Sequence, residues 1–352
     1  MKPLPPLIFD CINELLIRRR NITWEQKILE TIRGLTNWRL TVRRENHGVT
    51  ILRALTCDKN AVLPDELFGL PVTALLDHAL AAGGTPAAGE ELRVLGAEES
   101  GDWDNRNITD LSLPRFLQHV GSYAFMNLRS METLRFFDDL CSIGSASFMN
   151  CRSFTRLELR RTGLHQGPAL ASLVQTLQQE LDVTIHEADG SITRLIFPEY
   201  IESYTENNAA HHFQLKIFGG GYAYHGVFRN RTLSLADYDA LWPAYIAQEH
   251  DEDTALHLAY GRCRYPVGLS KQAGERYAEY LRANMGKALS IAMEEKDMRG
   301  LRLLLDLGSL ETETLDAALK ESRALKMTEA TAILLEQRHS LPASGRTRTC
   351  EL

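Results

Sequence analysis

Ile108-Thr109-Asp110-Leu111-Ser112-Leu113-Pro114 is followed by Val120-Gly121-Ser122-Tyr123-Ala124-Phe125-Met126-Asn127, and the pattern returns 23 residues later. The second copy reads Met131-Glu132-Thr133-Leu134-Arg135-Phe136, then Ile143-Gly144-Ser145-Ala146-Ser147-Phe148-Met149-Asn150. A third opens in the same register at Phe154-Thr155-Arg156-Leu157-Glu158-Leu159. One copy cannot bury its own apolar edge, so an ungapped period of this length marks a stack of repeats. Each Leu-x-Leu is a short strand with both leucines on one face. Gly121 and Gly144 suit a place where no side chain fits. Phe125 and Phe148 are expected at equivalent interior sites, and Asn127 and Asn150 suit a turn.

The pattern L-x-L-P, then I/V-G-x-x-A-F-x-N, resembles the BspA-type (Treponema-type) leucine-rich repeat. The likeness covers roughly residues 49–160 and is most specific in the last half. Val62-Leu63-Pro64 through Ala79-Leu80 looks like an opening unit, but Leu76 stands in place of the Gly and Leu80 in place of the Phe. What the resemblance implies is a protein-binding solenoid with no catalytic residue to carry over. Many relatives with this repeat are surface proteins. The N-terminus MKPLPPLIFDCINELLIRRR makes a poor export signal, with its apolar stretch broken by Asp10, Asn13 and Glu14. A cytoplasmic location is therefore expected.

Length and composition agree with a globular chain of more than one domain: 352 residues, 44% hydrophobic and 24% charged. A net charge of -7 and a pI near 5.9 argue against general nucleic-acid affinity. No apolar run reaches the ~18 residues of a membrane span. The six cysteines show no C-x-x-C or framework spacing and are read as reduced core thiols.

The fold class expected is α+β: a short leucine-rich-repeat solenoid of 23-residue period followed by an α-helical repeat domain. Residues 1–36 read as N-terminal helices over 8–20 and 23–36, the second opened by a Thr23 capping box. Residues 37–165 form the solenoid, with a hairpin cap at 38–51 and an insertion loop at 83–107, in which Leu92–Leu95 is a strand of a distorted repeat. Residues 166–231 are a connecting helix, a hairpin with an Asp189-Gly190 turn, and a loop. In 232–338, Ala255–Ala259 returns as Ala288–Ala292 and Lys296–Leu305 as Lys326–Leu335, so three antiparallel helix pairs, similar to ankyrin pairs, are expected. Residues 339–352 read as a flexible tail. The two halves are expected to keep separate cores.

His211-His212 lack the spacing of metal ligands. Gly219-Gly220-Gly221 lacks the Lys-Ser/Thr and helix of a phosphate loop. Cys263 is read as a packing residue despite its arginine neighbours. Asp237 and Asp239 are read as a solvated face. No catalytic, cofactor or metal residue is assigned. The function expected is a non-enzymatic protein–protein scaffold with no small-molecule substrate, nucleic acid or membrane as partner. The alternatives are an enzyme with its site in 199–231 and a purely structural, oligomerising protein. The partner face is expected on the outward strand residues Asp110, Ser112, Thr133, Arg135, Phe137, Arg156, Glu158 and Arg160, with Pro114 beside them. Arg and aromatic side chains there are the usual hot-spot types.

Overall fold

The computed structural model describes residues 30–84, 87–96, 102–163, 167–207, 212–308 and 310–340. The helix expected over 8–20, residues 23–29 of that expected over 23–36, His211 and the tail beyond 340 lie outside the described residues.

The described chain opens with β1 (Glu30–Arg33), β2 (Trp38–Glu45), β3 (Gly48–Thr56), β4 (Asn60–Val62), β5 (Glu66–Leu67), β6 (Leu70–Leu75) and β7 (Glu90–Leu95). The repeats then supply β8 (Asp110–Ser112), β9 (His119–Val120), β10 (Thr133–Phe137), β11 (Ser142–Ile143) and β12 (Arg156–Arg160). Two sheets result. One runs β14-β13-β12-β10-β8-β4, with β13 (Leu181–His186) and β14 (Ile192–Phe197) following the repeats. The other runs β1-β7-β2-β3-β6-β9-β11, with β5 folded onto β6.

The 23-residue period becomes parallel pairing: Leu134 lies opposite both Leu111 and Leu157. A third side of each copy is a turn, and these turns also stack through backbone bonds. Tyr123, Phe125 and Asn127 donate N–H to Ser145, Ser147 and Met149 at 3.1, 3.0 and 2.9 Å. The opening unit does the same, His78 donating to Ser122 and Leu80 to Ala124. Equivalent residues share the left-handed conformation: His78, Tyr123 and Ala146 at φ 59°, 56° and 52°, and Asn127 and Asn150 at 66° and 63°. Asparagine tolerates that region, and Asn150 Nδ2 donates to Asn127 Oδ1 at 2.8 Å, copy to copy.

The glycines are explained by close approach. A Cβ on Gly144 would lie 2.3 Å from Ser122 N, and one on Gly121 2.4 Å from Asp77 N. Leu76, in the opening unit, has no earlier copy beneath it, and its side chain is 40% exposed. Phe125 is fully buried, but Phe148 is only half-buried. Its ring rests on Phe125 at 5.1 Å and on Phe154 at 4.9 Å, and the stack of turns ends there. The two phenylalanines are thus equivalent in register and unequal in burial.

The cap hairpin β2–β3 is present as expected, with residues 46 and 47 at its turn. Two expectations around it fail. Glu30–Arg33, expected as the end of a helix, is a strand paired in parallel with β7. Its β-branched Thr31 and Ile32 suit a sheet edge, and pairing overrides a helical pattern. Glu90–Leu95 is not a strand of a distorted repeat: it lies between β1 and β2 in the cap sheet. Buried Asn105 fastens this cap, donating to Ala54 O and Leu80 O and accepting from Thr56 N.

After the repeats comes α1 (Ala169–Thr176), then β13 and β14, joined through the turn at Gly190, φ 84°. β13 pairs in parallel with β12, so this hairpin continues the repeat sheet. The ribbon β15 (Ile201–Asn207) and β16 (His212–Phe218) follows, then α2 (Tyr222–His225), the small hairpin β17 (Phe228–Arg229) and β18 (Thr232–Leu233), α3 (Leu235–Ala240) and α4 (Trp242–Ile246).

Six longer helices complete the described residues: α5 (Glu252–Arg264), α6 (Lys271–Ala283), α7 (Met285–Glu294), α8 (Met298–Asp306), α9 (Thr312–Ala324) and α10 (Thr328–Ser340). They pack as consecutive pairs, α5 on α6, α7 on α8 and α9 on α10, with α7 against α9 and α8 against α10. The matched lysines Lys296 and Lys326 sit in the two tight turns, at φ 54° and 56°. His339 and Ser340, expected in the tail, end α10.

The halves do not keep separate cores. One continuous apolar cluster runs from Trp38 to Leu334, because α5 packs directly on β14. Arg194 of β14 ties the junction, bonding Asp182 at 2.8 Å and both carboxylate oxygens of Glu295 at 2.7 Å.

Candidate functional site

Alternation and parallel register place the outward residues of the repeat sheet in rows. Asp110, Thr133, Arg156 and Asp182 form one row; Ser112, Arg135, Glu158 and Thr184 the next; Phe137, Arg160 and His186 the third. All eight expected face residues are therefore brought together. The sequence reading missed the fourth column, from β13. Leu157 aligns with Val183, a spacing of 26 rather than 23, so the period no longer marks it.

The face is less open than expected. Arg135 bonds Asp110 at 3.0 Å and Glu158 at 2.9 Å. Burial alone would lower its pKa, but the two carboxylates outweigh that and raise it. Its charge is neutralised across three copies, so it is a brace rather than a free anchor. Thr133 is buried, at 2% exposure, beneath its longer neighbours, and Pro114 is buried as well. Phe137 is half-buried against the sheet rather than open. Arg156 and Arg160, on one strand of the last copy, are exposed and form no ion pair among the described residues. The usable cationic element is this pair, with His186 and Phe137 in the row beside Arg160. The Arg194–Asp182–Glu295 bridge bounds the face on the helical side.

Two concavities flank the stack. One of about 270 Å³ lies where β10 and β12 end, among Asp138, Arg161, Gly167, Phe228 and Arg231. Asp138 is buried there and accepts from the Thr162 amide and hydroxyl at 2.9–3.0 Å. The other, about 430 Å³ and mostly apolar, lies between α1 and the last turn, among Ile143, Phe148, Met149 and Leu173.

The stretch 199–231 is built for packing rather than for a phosphate loop. A Cβ on Gly221 would lie 1.9 Å from Pro198 O, and one on Gly220 2.6 Å from the Tyr245 ring. His225 is buried, and both ring nitrogens contact backbone carbonyls, Val174 O at 2.6 Å and Pro198 O at 2.9 Å. Burial lowers its pKa. Both nitrogens are covered by backbone carbonyls inside the core, so neither faces open space where a substrate could sit.

The reading of Asp237 and Asp239 as one solvated face is half right. Asp237 pairs with exposed Arg229. Asp239 is buried and accepts from Arg262 through two bonds of 2.8 Å and from Tyr277 at 3.0 Å. Arg262 is fully buried, so this pair is a core element joining α3 to α5 and α6, which sequence spacing alone does not reveal. Cys263 behaves as expected of a packing residue: burial pushes its thiol up to about 12, far from a reactive thiolate. Cys151 is raised likewise and donates to Phe125 O at 3.1 Å. Cys141 departs from the buried-thiol expectation and is exposed.

Among the described residues, no group of three or more His, Cys, Asp or Glu side chains could hold a metal ion. No described helix is long and apolar enough to cross a membrane. Comparison with curated proteins and with solved structures returns no match. Residues 100–167 match the family model described as a BspA type leucine rich repeat region of six copies, so the repeat part of this chain is similar to that family.

Proposed function

We propose that this chain is a non-enzymatic adaptor whose stacked copies form a leucine-rich-repeat solenoid that docks an acidic protein surface on its open strand face. The observation that carries the reading is the exposed pair Arg156 and Arg160, which form no ion pair among the described residues, on a sheet whose other described charges are internally matched. Arg is a frequent hot-spot residue, and charge complementarity across an interface steers encounter and sets specificity. Asp110, Ser112, Thr133, Arg135 and Glu158 shape and brace the platform, while Phe137, Arg156 and Arg160 make the contact. The match of residues 100–167 to a repeat region of this type supports the reading. The helix pairs, similar to ankyrin pairs in their stacking, serve as a rigid buttress and a second surface. A cytoplasmic setting fits the cysteines, of which four in the described residues are free thiols.

The test is charge reversal at the two free arginines. Arg156→Glu with Arg160→Glu should weaken partner binding by at least a hundredfold and leave melting unchanged, since both side chains are exposed. Arg135→Glu is the wrong probe: it would set a third carboxylate between Asp110 and Glu158 and destabilise the stack. Undiminished binding by the folded Arg156/Arg160 variant would move the site to the helix pairs.

A further inference from the structure

The backbone ladder between turns has a free end. His78, Leu80 and Ala82 donate N–H to Ser122, Ala124 and Met126 at 3.0, 2.8 and 2.9 Å. Tyr123, Phe125 and Asn127 repeat this one copy on, donating to Ser145, Ser147 and Met149. The next donors in the series are Ala146, Phe148 and Asn150. Their turn keeps the conformation of the one before: Ala146 is at φ 52° against 56° for Tyr123, and Asn150 at 63° against 66° for Asn127. The three amides therefore point the same way, onward along the stack. None of them has an acceptor among the described residues.

The ladder breaks for a local reason. Ala169 and Ala171 stand one period beyond Ala146 and Phe148, but they lie in α1. A helix spends its carbonyls on its own amides, so α1 packs beside β11 without supplying acceptors. Between α1 and the last turn lies the mostly apolar concavity of about 430 Å³, lined by Ala146 and Phe148 themselves. That volume falls within the ~300–1,000 Å³ usual for ligand clefts. Ile143 and Met149 form one wall, Leu173 and Leu177 the other, and Met149 is 50% exposed. A row of unpaired amides beside an apolar cleft suits an extended chain held by main-chain bonds. We infer that the cleft binds an extended peptide segment of a partner protein. Its alternate carbonyls accept from Ala146, Phe148 and Asn150, and one apolar side chain enters between Met149 and Leu173.

The donor row selects this occupant. In an extended segment every second carbonyl points the same way, which matches donors two residues apart. A second copy of this chain has no such row to offer. At the first turn, Ala79 O already accepts from Ala54 N at 2.8 Å, and Ala81 O from Gly84 N at 3.2 Å, so head-to-tail stacking is closed. Two last turns brought together would set donor against donor. No charged side chain lines the cleft among the described residues, so a phosphate or free carboxylate would find no counter-charge. An uncharged main chain is the acceptor that fits. The cleft lies on the turn side of the stack, and its lining stops short of Arg152. The inference stands independently of whether Arg156 and Arg160 bind anything.

NMR of the nitrogen-15-labelled full chain tests this, with Ac-Thr-Leu-Thr-Leu-Thr-NH2 as probe and Ac-Thr-Asp-Thr-Asp-Thr-NH2 as control. In the free chain, the amides of Ala146, Phe148 and Asn150 should exchange with solvent at least a hundredfold faster than those of Tyr123, Phe125 and Asn127. The leucine peptide should shift the three free-end amides, with Kd below ~1 mM, and the aspartate peptide should not. Met149→Asp and, on α1, Thr176→Arg should each weaken the leucine peptide at least tenfold at unchanged melting temperature, since both side chains are exposed. Slow exchange of the three amides in the free chain overturns the inference, because a segment of the chain itself then fills the cleft. So does a lack of shifts at about 2 mM leucine peptide, equal binding of the aspartate peptide, or undiminished binding by both folded variants.

Discussion

Replacing Gly144 by alanine probes the stacking of copies at its tightest point. The added Cβ would stand 2.3 Å from Ser122 N, 2.5 Å from Gly121 C and 2.7 Å from Ser122 Cα. Ordinary contact between such atoms begins near ~3.5 Å, so the copies must part locally by about 1 Å. The opposing atoms are backbone and cannot rotate away. Separation would also stretch the bonds from Gly144 N to Val120 O, 2.8 Å, and from Tyr123 N to Ser145 O, 3.1 Å. Overpacking of a tight interior costs ~1–3 kcal/mol, and the rigid opposition places Gly144→Ala at the upper end. With ~2–4 °C lost per kcal/mol in a domain of a few hundred residues, melting should fall by roughly 5–10 °C. Leu76→Ala supplies the control: at the equivalent position of the opening unit, where the side chain is 40% exposed, the change should stay within ~0.5 kcal/mol. Differential scanning calorimetry of both variants decides the matter. A Gly144→Ala protein melting within 1 °C of wild type would refute the argument.

Phe125→Ala should cost ~3–5 kcal/mol, the usual penalty for a fully buried ring, and half-buried Phe148→Ala about half as much; denaturant midpoints would expose any reversal of that order. Asp239→Asn leaves buried Arg262 without its counter-charge and should cost ~3–5 kcal/mol; a variant as stable as wild type would mean the pair is solvated. Glu295 supplies a pH signature. Burial would raise its pKa, but His257 and Arg194 outweigh burial and hold it at about 2, below the usual 4.5. Its stabilisation is therefore complete above pH ~5 and is lost as pH falls from ~4.5 toward ~2. Stability curves of Glu295→Gln should be flatter than wild type across that window and should not diverge further above pH 6.

Much of the architecture was legible because repetition encodes it. The 23-residue spacing predicted which leucines align, which glycines are pressed against a neighbour and which asparagines turn the chain. The recurrence of Lys296 at Lys326 likewise marked two equivalent helix turns. What escaped reading has physical causes. β1 and β7 are single short strands that exist because each pairs with a neighbour far away in sequence. β13 joins the stack after a 26-residue step that hides its kinship with β12. The Arg135 brace was within reach, since Glu158 lies directly opposite it and Asp110 one step across. Reading the face as a set of outward residues overlooked that charges 23 residues apart touch. Asp239 with Arg262, by contrast, meets across three helices, and only the packing shows it.

The central claim, that a partner docks on the open strand face beside the last copy, is tested most directly by site-specific photo-cross-linking in the native cell. A photoreactive residue at Arg156 or Arg160 should each yield the same discrete protein adduct, and one at exposed Arg152, on the turn side of the stack, should yield none. An adduct from Arg152 with nothing from Arg156 and Arg160 would contradict the account.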